Sequence, residues 1–519
     1  MAGYDLTRQR RSREIDALAE APPVDVLVVG GGVTGAGVAL DAATRGLTVV
    51  LAEAHDLAFG TSRWSSKLAH GGLRYLAHGD VGVAWESAVE RGHLMGTIAP
   101  HLVRPLPHVM PAFADTRMAD RALVRAGLAA ADLLRTAART PRGTLARART
   151  VGPDTVTRLV PGIQSSQLRG GTVHWDGQLV DDARLVVSIA RTAAFYGARI
   201  LTRLRVEDIS PDGCVALDTV TGSTITIRAR HVIVAAGVWT EYLEPHTRIV
   251  TSRGSHAVLR PGALGDARAA LTVPVPGERG RYVFALPTSD GPVIAGITDE
   301  PVDGPLPDVP VAPASDVSWI LEHLSSALET PLTPDDVIGT YAGLRPLVAP
   351  AETHGDGRAA ETADISRRHL VHRRDDGVVV VTGGKLTTYR RMAEDALDAA
   401  RIEGAGPCVT SRTPLVGAQP YATPAAAGVP ERLVRHYGRE ASRVAAIADR
   451  DPSLLEPLAP HVPVLGVEIA FAVLAEGALS LSDILERRTR LAVTPAWLDA
   501  ARSRAAEIAE SLDAELDPL

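Results

Sequence analysis

The segment Val24–Glu53 constrains the fold of this chain more than any other stretch of the sequence. Its first apolar run, Val26–Val29, predicts a buried parallel strand, and a helix is predicted over Val33–Arg45. Three glycines with the spacing G-x-G-x-x-G start at the end of this strand and extend into the first turn of the helix: Gly30, Gly32 and Gly35. Glycines at this spacing permit a tight turn, a close approach of the backbone to a pyrophosphate, and close packing of the helix on the strand. The pattern therefore predicts a Rossmann-type βαβ unit.

The residues that complete this unit indicate a dinucleotide ligand. A second strand is predicted over Leu47–Leu51, and Glu53 follows it at about the 20-residue distance from the glycines where an acidic side chain usually binds a ribose diol. Strand, glycines, helix, strand and acid in this order favour a dinucleotide site over a glycine-rich turn without a ligand.

The chain contains a single fingerprint of this kind, and this limits the cofactors. The protein is therefore either an enzyme with one nicotinamide cofactor or a flavoprotein that its own substrate reduces directly. Two later apolar strands, His231–Ala236 and Val378–Thr382, are expected to return to the first sheet and bring Gly237 and the run GGKLTTY (383–389) to the ligand. These returns favour the extended FAD of a flavoprotein.

The segment 56–76 that follows the βαβ unit is rich in small hydroxyl residues and paired glycines. Hydroxyls and backbone N–H groups in such a loop can bind a phosphate or a flat ring, and an ordinary loop with a helix cap is the alternative. Lys67 in this loop and Lys385 are the two lysines among 54 basic residues. Because nearly every other basic residue is arginine, lysine at these two positions suggests sites that need a compact ammonium group.

The rest of the chain predicts two further regions. Residues 83–150 are expected to be mainly helical, whereas Ser255–Arg260, Arg281–Leu286 and Pro292–Thr298 predict a separate antiparallel sheet, which would form a substrate-binding cap. Residues 425–519 show helical periodicity and predict a C-terminal helical domain.

Composition argues against several classes of function. A chain of 519 residues is too long for one core and predicts two or three domains. Its net charge of −7 argues against nucleic acid as a partner. Two cysteines without a C-x-x-C motif predict neither a disulfide framework nor a metal site, and they fit a reducing cytoplasm. We expect no membrane span, because no run of about 20 apolar residues is present.

The segment Arg117–Arg149 contains eight arginines and two aspartates, with leucines between them at roughly helical spacing. Such a helix could rest on an anionic membrane surface. It could equally present an ordinary solvated basic face. The sequence leaves these two interpretations open.

Several longer motifs, in order along the chain, strongly resemble the FAD-dependent glycerol-3-phosphate dehydrogenases of the D-amino-acid-oxidase-like superfamily. They are GGGVTGAG (30–37), GTSRWSSKLAHGGLRYL (60–76), WDGQLVDDARL (175–185), RGSHAVL (253–259), AGITDE (295–300), YAGLRPL (341–347) and GGKLTTYR (383–390). The resemblance covers about residues 24–400, and LERRTRLAV (485–493) is similar to the family's C-terminal domain. One departure is Thr34, where many relatives have Asn; a hydroxyl can still donate to a phosphate.

The resemblance implies an α/β fold with three parts. They are a Rossmann-type FAD-binding domain (22–75, 150–247 and 345–400), an antiparallel-sheet substrate cap (76–149 and 248–344) and a C-terminal helical domain (401–519). The implied reaction is aerobic oxidation of sn-glycerol 3-phosphate to dihydroxyacetone phosphate, with hydride transfer to flavin N5 and electrons passed to membrane quinone. We expect a cytoplasmic protein bound peripherally to the inner face of the cell membrane through the basic 117–149 segment, the C-terminal domain, or both. A homodimer is compatible with the sequence, which leaves the oligomeric state open.

The resemblance also implies a set of catalytic residues. Arg74 and Arg345, in two motif loops, are the candidate clamp for the phosphate dianion. His256 is the candidate base for the hydroxyl proton, because imidazole titrates near neutral pH. Lys385 is expected beside the flavin N1/C2=O edge, where its charge would stabilise the reduced anion. Three further residues are expected to line the substrate pocket: Tyr75, Thr298 and Asp299.

Non-covalently bound FAD is expected to contact the fingerprint, the hydroxyl-rich loop and the later strand ends. The expected contacts are Gly30, Gly32, Thr34, Gly35, Glu53, Thr61, Ser62, Ser65, Ser66, Lys67, His70, Gly71, Gly237, Gly384, Lys385, Leu386 and Thr387. The nearest alternative is a glycerol-3-phosphate oxidase that uses O2 and produces H2O2; those enzymes typically carry an extra cap insertion, which this chain lacks. The others are an amine or amino-acid oxidase, which would not need two phosphate-clamping arginines, and a non-catalytic FAD-binding scaffold.

Overall fold

The computed structural model describes residues 3–72, 80–278, 280–302, 304–348 and 368–512. Two predicted site residues, Arg74 and Tyr75, lie outside these ranges. The described residues form two β-sheets, helices that pack on them, and a C-terminal helical region. The expected α/β architecture is thereby confirmed.

The first sheet contains the predicted βαβ unit. Its strands within the described ranges are Val24–Val29, Val49–Ala52, Arg199–Leu201, Leu204–Ser210, Gly213–Asp218, Thr224–Val234, His369–Arg373 and Val379–Gly383. Val24–Val29 lies between Val49–Ala52 and Thr224–Val234 and pairs in parallel with both. Val379–Gly383 pairs in parallel with the far side of Thr224–Val234. The predicted return of two later strands to this sheet is therefore confirmed.

Both faces of the strand Val24–Val29 are covered. Val26 and Val28 belong to a buried cluster with the helices on one face, and Leu27 and Val29 belong to a second cluster on the other face. The helices of the first cluster are Val33–Thr44, Asp182–Phe195 and Tyr389–Ala400. A parallel strand that is buried on both faces needs a continuous apolar run, which is what this segment has.

The second sheet is antiparallel for most of its pairings, as expected for the cap. Its strands within the described ranges are Leu68–Ala69, Val103–Phe113, Arg149–Val151, Leu168–Leu179, Ile249–Leu259, Ala270–Pro274, Tyr282–Pro287, Val293–Gly296, Glu300–Pro301 and Val337–Val348. The three predicted cap strands are confirmed. The expectation that residues 83–150 are mainly helical is wrong for Val103–Phe113, which is a strand in the middle of this sheet.

The prolines in Val103–Phe113 explain how a proline-rich segment forms a strand. Pro107 is two positions after Pro105, and Pro111 is four positions after Pro107, so their missing N–H groups all face the same side of the strand. The N–H groups that face the other side remain available for hydrogen bonds to a neighbouring strand. The segment therefore pairs with Leu168–Leu179 over its whole length.

The remaining helices surround the two sheets. They are Arg8–Asp16, Val81–His93, Met118–Ala137, Pro153–Leu159, Thr240–Leu243, Ala314–Ser325, Glu431–Tyr437, Ala441–Ala445, Gly466–Ala475, Leu481–Asp483 and Pro495–Leu512. The predicted C-terminal helical region is confirmed, and two of its helices pack through Ile469 and Ile508 in one buried cluster. Among the described residues, no helix combines the length and the apolar character that crossing a membrane requires.

Candidate active site

A cavity of about 700 Å³ lies where the two sheets face each other. One wall consists of the carboxyl ends of first-sheet strands, including Gly30, Glu53 and Gly384, and the other consists of second-sheet residues such as His108 and Arg345. Ligands of open parallel sheets bind at the carboxyl ends of the strands. The cavity is thus in the expected place for a dinucleotide, and the second sheet covers it.

The glycine turn forms a cradle that side chains would fill. Gly30 has φ +112°, and a Cβ there would lie 2.5 Å from the carbonyl oxygen of Ala235. A Cβ on Gly35 would clash with the carbonyl of Gly30. The helix Val33–Thr44 begins directly after Gly32, and its first two residues, Val33 and Thr34, line the cavity. A helix N-terminus approached through glycines is a binding site for a pyrophosphate.

Glu53 is buried at the edge of this cradle. Its Oε2 accepts a 2.5 Å hydrogen bond from the N–H of Gly31, and its Oε1 accepts a 2.8 Å bond from the N–H of His55. Burial raises the pKa of Glu53, while these two backbone hydrogen bonds oppose the rise. A carboxylate can accept about four hydrogen bonds, so Glu53 can fix the turn and still accept from a ribose hydroxyl in the cavity.

The hydroxyl loop (residues 56–72) contributes Thr61, Ser62, Ser65 and Ser66 to the cavity wall. Ser62 Oγ accepts a 2.9 Å bond from the N–H of Val33, which ties the loop to the glycine turn. Thr61 Oγ1 donates to the carbonyl of Leu344 at 2.6 Å, which ties it to the second sheet. The loop is therefore held from both sides of the cavity.

Lys67 lies behind this loop, and it is not among the residues that line the cavity. Its Nζ donates to Asp182 Oδ2 at 2.7 Å and to the carbonyl of Arg63 at 2.9 Å. Ser65 donates to the same oxygen of Asp182 at 2.7 Å. Burial lowers the pKa of Lys67 to about 8, although the charge of Asp182 favours the protonated form. In this geometry Lys67 acts on the shape of the loop.

The C-terminal region also holds the hydroxyl loop, through a buried ion cluster. Asp56 at the start of the loop accepts bonds from Arg487 Nε at 2.7 Å and from Arg488 at 2.8 and 2.9 Å. Arg490 Nη2 donates to the carbonyl of Arg63 at 2.7 Å. These arginines belong to the motif LERRTRLAV (485–493). We refer to Asp56, Arg63, Arg487, Arg488 and Arg490 as the loop clamp.

Arg345 projects into the cavity from the second-sheet strand Val337–Val348. Its Nη1 donates to Asp299 Oδ1 at 3.0 Å, and its Nη2 donates to the carbonyl of Thr298 at 3.1 Å. Thr298 and Asp299 line the same cavity. A Cβ on Gly254 would clash with the guanidinium, so glycine there leaves room for it. Three predicted substrate residues, Thr298, Asp299 and Arg345, thus lie together on this wall.

Lys385 lies on the opposite wall, after the strand Val379–Gly383. Its Nζ donates to Ser87 Oγ at 2.6 Å. Gly383 and Gly384 have φ values of +76° and +72°, a region in which glycine is unstrained, and they turn the chain along the cavity wall. Three other predicted cofactor residues line this wall: Gly237, Leu386 and Thr387.

His256 is placed differently from the expectation. Its side chain is 0% exposed and does not line the cavity. Its Nε2 shares a 2.9 Å hydrogen bond with Ser66 Oγ, which does line the cavity. Burial lowers the pKa of His256 well below its usual value, and the charges of Lys67 and Arg345 lower it further. His256 therefore stays neutral near pH 7.

Besides Lys67, two further predicted cofactor contacts lie outside the cavity wall. Gly71 and Gly35 are not among the lining residues, and the N–H of Gly71 donates to Asp176 Oδ1 at 2.8 Å. His70 does line the cavity. The sequence did not point to His108 and His174, whose rings stack in the same wall with centroids 5.0 Å apart. Because side chains alternate between the two faces of a strand, predicting the strand Val103–Phe113 would have indicated which face His108 occupies.

Comparison with known families supports the class that this fold and site define. Residues 25–390 match the family model for FAD dependent oxidoreductases. Residues 408–517 match the C-terminal domain of alpha-glycerophosphate oxidase. The molecule is thus a flavin-dependent oxidoreductase, and the glycine cradle, Glu53 and the hydroxyl loop fit its cofactor, FAD.

Two relatives define the family more narrowly. Glycerol-3-phosphate dehydrogenase 1 of Mycobacterium tuberculosis is 48% identical over 496 residues, which are 94% of this chain and 95% of that protein. A mitochondrial glycerol-3-phosphate dehydrogenase of Arabidopsis thaliana is 33% identical, over 94% of this chain and 82% of that protein. The chain belongs to the FAD-dependent glycerol-3-phosphate dehydrogenases.

Solved structures share the fold. The glycerol-3-phosphate dehydrogenase from Bacillus halodurans, crystallised with FAD, has a TM-score of 0.69 at 24% identity and covers 99% of both chains. The L-alpha-glycerophosphate oxidase from Mycoplasma pneumoniae has a TM-score of 0.57 at 18% identity, over 76% of this chain and 99% of that one. The same fold therefore occurs in a dehydrogenase and in an oxidase.

Proposed function

We propose that this protein oxidises sn-glycerol 3-phosphate to dihydroxyacetone phosphate. The observation that carries the proposal is one cavity that joins the cofactor cradle to Arg345 on one sheet and Lys385 on the other. A phosphate dianion calls for guanidinium donors, and each charge-assisted hydrogen bond contributes about 1.5–3 kcal/mol. An amine or amino-acid oxidase would not need the two phosphate-clamping arginines proposed here, Arg74 and Arg345.

The cofactor residues named from the sequence that line the cavity are proposed to bind FAD without a covalent bond, and Gly35, Lys67 and Gly71 are proposed to support them from outside its wall. The helix N-terminus after Gly32 would bind the pyrophosphate, Glu53 the adenosine ribose, and the hydroxyl loop the ribityl and ring region. When bound, FAD supplies the group that accepts a hydride from the substrate. Side chains of the protein would bind the substrate and stabilise the charges that form during the reaction.

Arg345 is proposed to bind the substrate phosphate. Its bonds to Asp299 and to the carbonyl of Thr298 fix the direction of the guanidinium before substrate arrives. The side chain therefore loses little conformational freedom when substrate binds. Arg74 and Tyr75 remain proposed partners in this clamp. Lys385 is proposed to stabilise the negative charge that appears near the cofactor on reduction, because a fixed positive charge in a closed site acts strongly.

Anaerobic mixing of the holoenzyme with sn-glycerol 3-phosphate tests this function. We expect loss of the oxidised flavin absorbance without any electron acceptor. A flavin that stays oxidised with saturating substrate would contradict the proposal and would favour a non-catalytic FAD-binding scaffold. Glycerol, which lacks the phosphate, is the matched control and should reduce the flavin far more slowly.

We further propose that electrons pass from the flavin to a membrane quinone. The relatives that match over almost the whole chain are named dehydrogenases. Turnover with a soluble quinone analogue, compared with peroxide formation in air, separates the two acceptors. Peroxide formed at the full turnover rate without quinone would favour the oxidase.

A peripheral contact with the cytoplasmic face of the membrane is proposed for the helix Met118–Ala137. Three large apolar side chains stand out from it: Met118 is 85% exposed, Leu123 63% and Leu133 72%. Exposed arginines lie on or after the helix: Arg125, Arg139, Arg142, Arg147 and Arg149. Exposed apolar residues beside arginines favour an interface with anionic lipid over a purely solvated basic face.

Co-sedimentation with anionic vesicles tests this contact. The double substitution Leu123→Ser and Leu133→Ser should reduce binding at least tenfold, since about 1.5–3 kcal/mol of burial is lost for each leucine. Val311 is 73% exposed and lies elsewhere, so Val311→Ser is the matched control and should bind like the parent chain. Equal binding of all three proteins would contradict the proposal.

A further inference from the structure

Ser66 stands between the cavity and the buried imidazole of His256. The ring of His256 stacks on Tyr341 with centroids 4.5 Å apart and an interplanar angle of 15°. The face and the edge of the ring are therefore occupied by protein, and Ser66 Oγ lies 2.9 Å from Nε2. Ser66 lines the cavity, and His256 does not. A molecule in the cavity thus reaches His256 through the hydroxyl of Ser66.

The surroundings hold this pair in place. His256 is opposite Tyr341 on one neighbouring strand and opposite Gly296 on the other. A Cβ on Gly296 would lie 2.5 Å from Cδ2 of the ring, so glycine provides the space that the imidazole fills. The hydroxyl of Tyr341 donates to the carbonyl of Ser65 at 3.0 Å, which fixes the hydroxyl loop beside the ring.

We propose that Ser66 is a catalytic residue that relays the hydroxyl proton of the substrate to His256. This inference rests on the proposed oxidation of glycerol 3-phosphate. The C2–O–H proton moves to Ser66 Oγ as the Ser66 hydroxyl proton moves to Nε2 of His256. The hydride on C2 leaves to the flavin, the C2–O bond becomes a carbonyl, and the flavin gains the two electrons that the substrate loses.

Charge explains why the relay would operate with the bound substrate. Burial disfavours a positive charge on the ring of His256, and the charges of Lys67 and Arg345 disfavour it further. A phosphate dianion bound at Arg345 offsets one of these charges and so makes a protonated His256 easier to form. Phosphate binding at Arg345 and proton transfer through Ser66 are therefore coupled, because the bound phosphate makes it easier for His256 to accept the proton.

The competing role for Ser66 is a simple contact with FAD, like that of other hydroxyls in the loop. The two roles differ in what Ser66→Ala removes. If Ser66 only contacts the cofactor, Ser66→Ala would lower FAD affinity. If Ser66 is a proton relay, Ser66→Ala would slow flavin reduction in protein that is saturated with FAD. FAD affinity of the apoprotein, measured by flavin fluorescence, is therefore the readout that separates them.

The experiment compares the parent chain with Ser66→Ala, Ser66→Thr and the remote control Ser326→Ala, whose hydroxyl bonds the carbonyl of His323. Ser66→Ala should slow anaerobic flavin reduction by about 100-fold or more, as expected for lost acid–base catalysis. Its FAD dissociation constant should change by less than about threefold, a difference below 1 kcal/mol. Ser66→Thr, which retains a hydroxyl, should recover most of the rate, and Ser326→Ala should match the parent chain.

Reduction of Ser66→Ala at the parental rate would overturn the relay and leave the proposed function standing. A slow rate that excess FAD restores would also overturn it and assign Ser66 to the cofactor. The parent chain gives an independent test: reduction in mixtures of H2O and D2O should show a curved dependence on deuterium content, since two protons move together. A linear dependence would overturn the relay, and no reduction of the parent flavin at all would overturn the proposed function with it.

Discussion

Neutralising Asp56 should destabilise the protein strongly, because its carboxylate is enclosed by two guanidinium groups. Arg487 and Arg488 donate three hydrogen bonds to it at 2.7–2.9 Å, and all three side chains are at most 2% exposed. Asp56→Asn leaves two buried positive charges without their main counter-charge. Removing one partner of a buried ion pair costs about 3–5 kcal/mol, and we expect a loss of that size in the free energy of unfolding.

Urea unfolding of the holoprotein at a fixed FAD concentration measures this loss. Asp398→Asn is the matched control, since Asp398 pairs with Arg45 at 2.8 Å but is 59% exposed. Exposed pairs contribute about 0–1 kcal/mol, so the control should unfold almost like the parent chain. FAD should also dissociate faster from Asp56→Asn, because Asp56 anchors the hydroxyl loop. A stability within about 1 kcal/mol of the parent would refute the loop clamp as a stabilising cluster.

Three further predictions follow from the site. Arg345→Ala should raise KM for glycerol 3-phosphate by about 10- to 100-fold, the equivalent of one charge-assisted bond, with steady-state kinetics as the measurement; an unchanged KM would remove Arg345 from the phosphate clamp. Lys385→Ala should slow flavin reduction and lower the flavin potential, and native values of both would contradict its role. Stability should fall as pH drops below about 4. Burial alone would raise the pKa values of Asp182 and Glu476, but the neighbouring Lys67 and arginine charges outweigh it and lower both. A folded-state pKa below the unfolded value gives stability that is present at neutral pH and lost in acid; urea midpoints independent of pH between 7 and about 3 would contradict this.

Local patterns in the sequence were enough to predict the first sheet and its cradle. The glycine turn at Gly30, the helix that follows and the strand before Glu53 are specified by residues within one short segment, so propensity and spacing define them. Motif loops that end strands of the first sheet, such as the one that carries Lys385, also lie where the strand order predicts. These features depend on neighbours in sequence.

Features that depend on distant partners were not predictable in the same way. Asp56 meets Arg488 across 432 positions of sequence, and charge patterns alone do not pair such residues. The strand Val103–Phe113 was missed because its prolines resemble helix breaks, although their even spacing is compatible with an antiparallel pair. For His256 the residue type indicated a base, but only the packing of Ser66 against its ring shows that it does not face the cavity itself.

The proposed function requires that this chain oxidises a phosphorylated polyol with its own flavin. Anaerobic stopped-flow mixing with sn-glycerol 3-phosphate, with glycerol as the matched unphosphorylated compound, tests it most directly. We expect rapid loss of the oxidised flavin band with glycerol 3-phosphate, and a slow response to glycerol. A flavin that remains oxidised with both compounds, or that glycerol reduces equally well, would contradict it.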